Sequence, residues 1–175
     1  MYYITAYVDE KAHRQIQHYI HKIAQVSGND YMIAEEVPPH ITLSAFECRE
    51  PELVVQALQE ICTVLKKGQI KWVSVGMFLP YVIFLTPVLN EYLQDLSGQI
   101  YHRISQIRGV SVNQHYQPMQ WMPHTTLAKK LTKEEMAAAF AVMQDQFAVC
   151  TGEVVRIGLA KPNPHRDLVI LPLQN

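Results

Sequence analysis

The hydrophobic residues of this 175-residue chain recur with two periods, one typical of helices and one typical of strands. From Glu10 to Val26 the apolar residues lie three or four positions apart, which places them on one face of a helix. Tyr2 to Val8 is rich in aromatic and β-branched residues and predicts a strand. Gly28-Asn29-Asp30 then predicts a stop and a turn.

The same two patterns continue to the C-terminus. Further strands are expected at 40–46, 69–79, 81–86, 124–131, 153–160 and 167–171. Further helices are expected from Pro51 until Gly68 closes that helix, along the apolar residues from Leu89 to Ile107, and after Thr132, which can form a capping box with Glu135. A proline-rich turn at 161–166 leads into the last strand.

Each half of the chain therefore has the same order: strand, helix, strand, helix, strand. WVSVGMF (72–78) and VVRIGLA (154–160) also align on Gly76 and Gly158, 82 positions apart, which supports an internal repeat. We expect an α+β fold in which two β-α-β-α-β lobes, related by a pseudo-two-fold axis, surround a central cleft. Residues 1–175 would form a single domain, with lobe-forming halves at approximately 1–80 and 81–175.

One short motif occurs once in each half, as PHITL (39–43) and PHTTL (123–127), 84 positions apart. The spacing agrees with that of the glycine repeat, so both copies occupy the same predicted strand of their half. A duplicated structural strand would explain the repetition alone. Packing, however, does not require a histidine and a hydroxyl on the same face in both halves, so a functional role is favoured.

The strand geometry places the polar residues of each motif together. Side chains alternate between the two faces of a strand, so His40 and Thr42 share one face, about 6.6 Å apart at roughly 3.3 Å per residue. His124 and Thr126 repeat this arrangement, with apolar residues on the opposite face. Thr125 is the exception, because it takes the place of an apolar residue in the second copy.

Two imidazoles and two hydroxyls that meet across a cleft suit the cleavage of a phosphodiester. A neutral imidazole can take a proton from the attacking water, and an imidazolium can give one to the leaving oxygen. Threonine hydroxyls can donate hydrogen bonds to the phosphoryl oxygens and hold the group in line. No third ligand lies at metal-site spacing from His40 or His124, so no metal site is expected.

Composition and charge limit the kinds of binding partner and compartment that are expected. A formal net charge of −1 is unlike that of proteins that bind a nucleic-acid backbone, but it allows a small phosphate ligand or an RNA end. The three cysteines have no paired or metal-type spacing, which is typical of a reducing compartment. No signal peptide or membrane-spanning run is recognisable, so a cytoplasmic protein is expected.

At the two motifs the chain resembles the 2H phosphoesterase superfamily, whose members carry two H-x-[ST]-h motifs with an apolar residue at h. PHTTLAKK (123–130) is similar to the second motif of the bacterial 2′-5′ RNA ligase / RNA 2′,3′-cyclic phosphodiesterase group. The resemblance implies opening of a 2′,3′-cyclic phosphate on a nucleotide or an RNA terminus, without metal or cofactor. It implies that His40 and His124 are the acid/base pair and that Thr42 and Thr126 bind the phosphate.

Two other functions remain open from the sequence. RNA-end ligation through a 2′-5′ bond is the same chemistry in reverse and would use the same residues. A nucleotide- or RNA-end-binding module could keep the cleft without turnover, although binding alone does not require two titrating groups. The sequence leaves open the base preference, the oligomeric state, and which histidine is the acid.

Several residues near the motifs are secondary candidates. By strand alternation Lys130 would share the face of Thr126 and could bind a phosphate. His165 and Arg166 could close over the cleft, but a surface loop is the favoured interpretation.

Aromatic residues and other histidines give weaker signals. Tyr116 and Trp121 could stack on a base or pack under a loop. His18 and His21 lie on the polar side of the first helix and are expected to face solvent.

Overall fold

The computed structural model describes residues 1–175 and contains eight strands and five α-helices. The strands are β1 (Tyr2–Val8), β2 (Ile41–Glu47), β3 (Gly68–Phe78), β4 (Val82–Pro87), β5 (Ser111–Val112), β6 (Thr125–Lys129), β7 (Cys150–Pro162) and β8 (His165–Pro172). The helices are α1 (Glu10–Ser27), α2 (Tyr31–Ala34), α3 (Pro51–Ile61), α4 (Glu91–Ser105) and α5 (Lys133–Gln146), with a 3₁₀ turn at Gln114–Tyr116. None of the helices is long and apolar enough to cross a membrane.

All eight strands belong to one antiparallel sheet, in which seven follow the order β5-β2-β1-β7-β3-β4-β6 and β8 pairs with β7. The long strand β7 lies between β1 and β3 and joins the two sides of the sheet. One of its edges pairs with β1; the other pairs with β3 along 150–154 and with β8 along 156–162. The predicted α+β architecture is therefore confirmed.

The register of the sheet reproduces the internal repeat. Gly76 of β3 lies opposite Phe84, and Gly158 of β7 lies opposite Thr5, so the two glycines occupy corresponding places. Both require the absence of a side chain, because an added Cβ would lie 2.5 Å from the Phe84 ring or 2.7 Å from that of Tyr7. The sequence alignment on these glycines thus reflects a common packing position.

Both motif strands also carry a β-bulge at the same motif position. The pairing of β2 with β1 skips Leu43, and the pairing of β6 with β4 skips Leu127. A bulge adds one residue to a strand and reverses the face on which the following side chains lie. Each bulge therefore lies directly after the motif threonine and changes which of the following side chains share the face of that threonine.

The helices cross over between the two halves of the chain. Helix α1 packs on α5 and β6, whereas α4 packs on β2 and β5. Each helix contributes an apolar stripe to one continuous core, whose largest fully buried side chain is Trp72. The indole N–H of Trp72 donates to the hydroxyl of Thr125 at 3.1 Å, which explains the polar residue on the buried face of the second motif. The division into lobes at 1–80 and 81–175 stays a prediction.

Several predicted boundaries were wrong, and two of them have a clear tertiary cause. Helix α3 ends at Ile61 rather than near Gly68, because the chain at 65–67 hydrogen-bonds with Gln174 near the C-terminus instead of continuing the helix. The last strand begins at His165 rather than at 167, since the turn before it is confined to two residues. Tertiary pairing decided both positions, and local sequence does not encode it.

Candidate active site

The two motifs meet at one cavity of about 150 Å³. Its lining includes all four residues predicted from the motifs: His40, Thr42, His124 and Thr126. Strands β2 and β6 lie far apart in the sheet order but still contact each other, so the sheet curves and brings their polar faces together. The placement agrees with the predicted cleft, while the roles of these residues stay predictions.

The same local hydrogen bond orients both motif histidines. Nδ1 of His40 lies 2.7 Å from the carbonyl oxygen of Pro38, and Nδ1 of His124 lies 2.9 Å from that of Met122. A carbonyl can only accept, so each Nδ1 carries the proton and donates it. Each Nε2 is therefore the nitrogen left to exchange a proton with a substrate. The proline before each histidine favours the extended backbone on which this contact depends.

The surroundings of His40 favour its neutral form. Its ring centroid lies 5.6 Å from that of His165 and 6.3 Å from that of Tyr7. Burial lowers the pKa of His40 to about 4, and the nearby imidazoles of His165 and His124 act in the same direction, against the opposing Asp167 carboxylate. At pH 7 His40 is thus neutral and able to accept a proton.

His124 has a different environment. Its ring stands edge-to-face against Phe78 at 4.9 Å between centroids, and the Phe84 ring lies at 5.3 Å. Burial lowers the pKa of His124 below its ordinary value, partly offset by the hydrogen bond to Met122. Aromatic rings within about 6 Å can stabilise a cation, so Phe78 and Phe84 can act as partners of protonated His124.

The motif threonines are held by the sheet and by a neighbouring tryptophan. Thr42 is largely buried on β2, and its carbonyl accepts a hydrogen bond of 2.9 Å from the indole N–H of Trp121. Thr126 is half-buried on β6. Trp121 thus joins the segment before the second motif to the strand of the first. It is a buried packing residue, whereas half-buried Tyr116 borders the cavity.

A third histidine lies in the cavity, and the prediction of a surface loop was wrong for it. The His165 side chain is only 7% exposed, because β8 begins at this residue and pairs with the end of β7. Its neighbour in sequence, Arg166, does lie on the surface. The sequence signal was the short NP turn, which is compatible with a tight hairpin that extends both strands.

Two polar residues fix the ring of His165. Its Nε2 lies 3.3 Å from the Tyr7 hydroxyl oxygen and 3.6 Å from Asp167 Oδ2. The Tyr7 hydroxyl itself donates to Asp167 Oδ1 at 2.6 Å, so its oxygen is free to accept from His165. Hydrogen bonds from His165 and Tyr7 lower the pKa of Asp167 despite its partial burial, so the carboxylate is ionised.

The second motif contributes Lys129 to the cavity, not the predicted Lys130. The bulge at Leu127 is the reason: Leu127 and Ala128 are both buried, and Lys129 returns to the face of Thr126. Lys130 lies beyond the strand with φ of 61° and is exposed. Its ammonium stands 4.3 Å from the centre of the Tyr31 ring.

Other predicted residues lie away from the cavity. His18 and His21 lie on α1 and are both exposed, so the expected solvated face is confirmed for both. No cluster of three His, Cys, Asp or Glu residues is arranged to hold a metal ion. Cys62 directly follows α3 and is buried in the core.

Comparison with known structures supports the fold. The TT0787 protein of Thermus thermophilus superposes with a TM-score of 0.66 at 15% identity, over 98% of this chain and 97% of that one. Escherichia coli LigT complexed with 3′-AMP gives 0.64 at 13% identity, over 99% and 98%. The PDE domain of MHV ns2 gives 0.53 at 17% identity, over 98% and 99%.

Sequence comparison identifies the family. No curated protein matches the chain. A family model described as the 2′-5′ RNA ligase superfamily matches residues 9–166, which include both motifs. Two histidine–threonine strands around one cavity, in a fold shared with known phosphoesterases, agree with that match. The chain therefore belongs to the 2′-5′ RNA ligase superfamily and is a 2H phosphoesterase relative.

Proposed function

We propose that this protein hydrolyses the 2′,3′-cyclic phosphate of a nucleotide or an RNA terminus, without a metal ion. The observation that carries the proposal is the pair of imidazoles in one cavity, each with Nδ1 bonded to a carbonyl and Nε2 left for proton transfer. Two such groups supply the acid and the base that opening of a phosphodiester ring requires. A cytoplasmic location remains a prediction from the sequence.

The reaction moves one proton at each end of the line of attack. One proton is removed from the attacking water, and one is given to the leaving oxygen. Water attacks phosphorus, and Nε2 of the base takes the proton that the water loses. The bond from phosphorus to one ribose oxygen breaks, and Nε2–H of the acid protonates that oxygen. Solvent then returns both imidazoles to their starting states.

The two environments favour His40 as the base and His124 as the acid. His40 has a pKa of about 4 and a second imidazole beside it, so it enters the reaction neutral. The rings of Phe78 and Phe84 lie within about 6 Å of the His124 ring and can stabilise its protonated form. The negative charge of a bound phosphate would favour that form further.

Three further groups suit the phosphoryl oxygens. The hydroxyls of Thr42 and Thr126 and the ammonium of Lys129 can donate hydrogen bonds from the cavity lining. His165 adds a third imidazole, whose Nε2 faces Tyr7 and Asp167 and whose Nδ1 remains for the ligand.

The test is turnover of 2′,3′-cyclic nucleotides and of RNA with a cyclic-phosphate end, with and without EDTA. His40→Ala and His124→Ala should each lower kcat by about 10²- to 10⁴-fold, since each removes one acid or base. Activity should persist in EDTA. Full activity in the doubly substituted protein would refute the proposal.

RNA-end ligation is the second candidate, and the family match favours it. A 5′-hydroxyl in place of water, attacking the same cyclic phosphate, would use the same acid and base. Incubation of cyclic-phosphate RNA with a 5′-hydroxyl RNA distinguishes the two activities, because only ligation gives a longer product with a 2′-5′ bond.

A further inference from the structure

Strand β3 has an open edge at the place where β7 pairs with β8. The strands β3 and β7 pair with each other along 68–72 and 150–154, and Ile70 lies opposite Gly152, its counterpart 82 positions later in the chain. Beyond this shared segment, the same edge of β7 continues and pairs with β8. The equivalent edge of β3, along 74–78, pairs with no strand. One half of the sheet therefore has a strand where the other half has none.

The irregularities of the two strands confirm that they correspond. The pairing of β3 with β4 skips Val73, and the pairing of β7 with β1 skips Val155, again 82 positions apart. Helices α3 and α5 also begin 82 positions apart, and α3 packs against β8. A strand added to the open edge of β3 is therefore expected to pack against α5.

An apolar groove lies at that place. It has a volume of about 370 Å³ and is bounded by residues 73–75 of β3 and, on α5 and at its C-terminal end, by Phe140, Met143 and Phe147. Phe140 is 41% exposed, whereas its counterpart on α3, Leu58, is fully buried. The groove thus exposes apolar surface that is covered in the half of the sheet that contains β8.

The open edge lacks the features that keep edge strands from pairing with other chains. Such edges usually carry charged side chains or proline. The sequence VSVGMF (73–78) contains neither, and no charged residue occurs between Lys71 and Glu91. Val73 and Met77 are exposed. The bulge does not prevent pairing, because β7 carries the same bulge and still pairs with β8. This edge is therefore suited to accept a further strand.

A second copy of the chain supplies a strand that matches this edge. Two β3 edges can pair antiparallel about a two-fold axis, which is the commonest symmetry of homodimers. Because 73–78 is uncharged, the pairing places no like charges opposite each other. The formal net charge of −1 adds little repulsion between whole copies. Since the same surface is used by both copies, both grooves are covered at once.

We propose that two copies of this protein associate through the open edge of β3, residues 73–78. The two sheets become continuous across the interface, and each copy covers the groove between β3 and α5 of the other. The proposal concerns assembly and stands apart from the proposed hydrolysis.

The test is the association state of the full chain, measured by sedimentation equilibrium over a range of protein concentrations. Val73→Lys introduces a charge at the edge of both copies, and Phe140→Glu introduces one in both grooves. Val64→Lys is the matched control, because Val64 is an exposed apolar residue that follows α3, in the half that contains β8. All three positions are exposed, and thermal unfolding checks that the variants fold.

The proposal predicts a wild-type dimer whose Kd rises at least about tenfold in Val73→Lys and in Phe140→Glu, because each change places two like charges in one interface. Val64→Lys should match wild type. A wild-type protein that stays monomeric at every concentration would overturn the second copy as the occupant of the edge. Equal Kd values for wild type and both interface variants would also overturn it.

Hydrogen exchange locates the interface independently. Backbone amides within 74–78 should exchange more slowly in concentrated than in dilute wild-type protein, since pairing protects them. In Val73→Lys this dependence on concentration should be lost. A dimer in which these amides exchange at the rate of the monomer would place the interface elsewhere and overturn the proposal.

Discussion

Burial of His40 should make the folded protein lose stability in mild acid, and His40→Gln should remove that loss. The pKa of His40 falls from 6.5 to about 4 in the folded chain, so between these values the unfolded chain binds the proton more tightly. Stability from this group is therefore fully present above pH 6.5 and is lost as the pH falls toward 4. The titratable groups around His40 are Tyr7, His124, His165 and Asp167.

The magnitude follows from the shift. Each pH unit between the two pKa values costs about 1.4 kcal/mol, so His40 alone should remove about 2 kcal/mol from the free energy of unfolding between pH 7 and pH 5. The loss should reach about 3 kcal/mol near pH 4. This loss is a substantial part of the free energy of unfolding, which is typically about 5–15 kcal/mol for a protein domain.

Urea unfolding at a series of pH values from 4 to 8 measures the effect. The quantity of interest is the pH dependence of the free energy of unfolding, because His40→Gln also removes the hydrogen bond to Pro38, which shifts the curve by a constant. Exposed His21 provides the control: His21→Gln should reproduce the wild-type slope. Parallel curves for wild type and His40→Gln would refute the burial argument.

Three further predictions concern activity and packing. The pH profile of kcat/KM should be bell-shaped with its maximum below about pH 6.5, because the base, His40, is neutral above about pH 4 and burial lowers the pKa of the acid, His124. A maximum above pH 7 would contradict this assignment. Lys129→Met should raise KM for the cyclic phosphate by about tenfold, whereas Lys130→Met should leave KM unchanged, because only Lys129 lines the cavity. Equal effects of the two substitutions in steady-state kinetics would contradict the argument that the bulge at Leu127 turns Lys129 into the cavity. Thr125→Val, a substitution of similar volume, should lower the free energy of unfolding by about 1–3 kcal/mol in urea unfolding, because the buried N–H of Trp72 loses its acceptor; a loss near zero would show that the bond is dispensable.

The repeated motif shows how far local sequence reaches. Alternation along a strand placed His40 with Thr42 and His124 with Thr126, and these four residues do line one cavity. The argument succeeded there because each pair lies within two residues, before any irregularity. It failed a few residues later, at Lys130, because the bulge at Leu127 reversed the alternation.

Repetition in the sequence also predicted the architecture. The glycines at 76 and 158 mark the same packing position in the two halves, since each lies where a side chain on the neighbouring strand leaves no room for a Cβ. Apolar periodicity located the long helices, and the capping box of Thr132 and Glu135 forms as predicted. These signals depend on residues that are close in the chain, so they can be recognised from the sequence alone.

The sequence by itself determined seven of the eight strands, four of the five helices and the two polar pairs, because periodicity, capping and alternation act over a few residues; the short elements β5 and α2 were not predicted. Only the tertiary structure decided which distant groups join them. His165 enters the cavity through the pairing of β8 with β7, far along the chain from His40. The contrast between the histidines likewise depends on neighbours brought by other strands, since a pKa is set by burial and by charges in space rather than by adjacent residues.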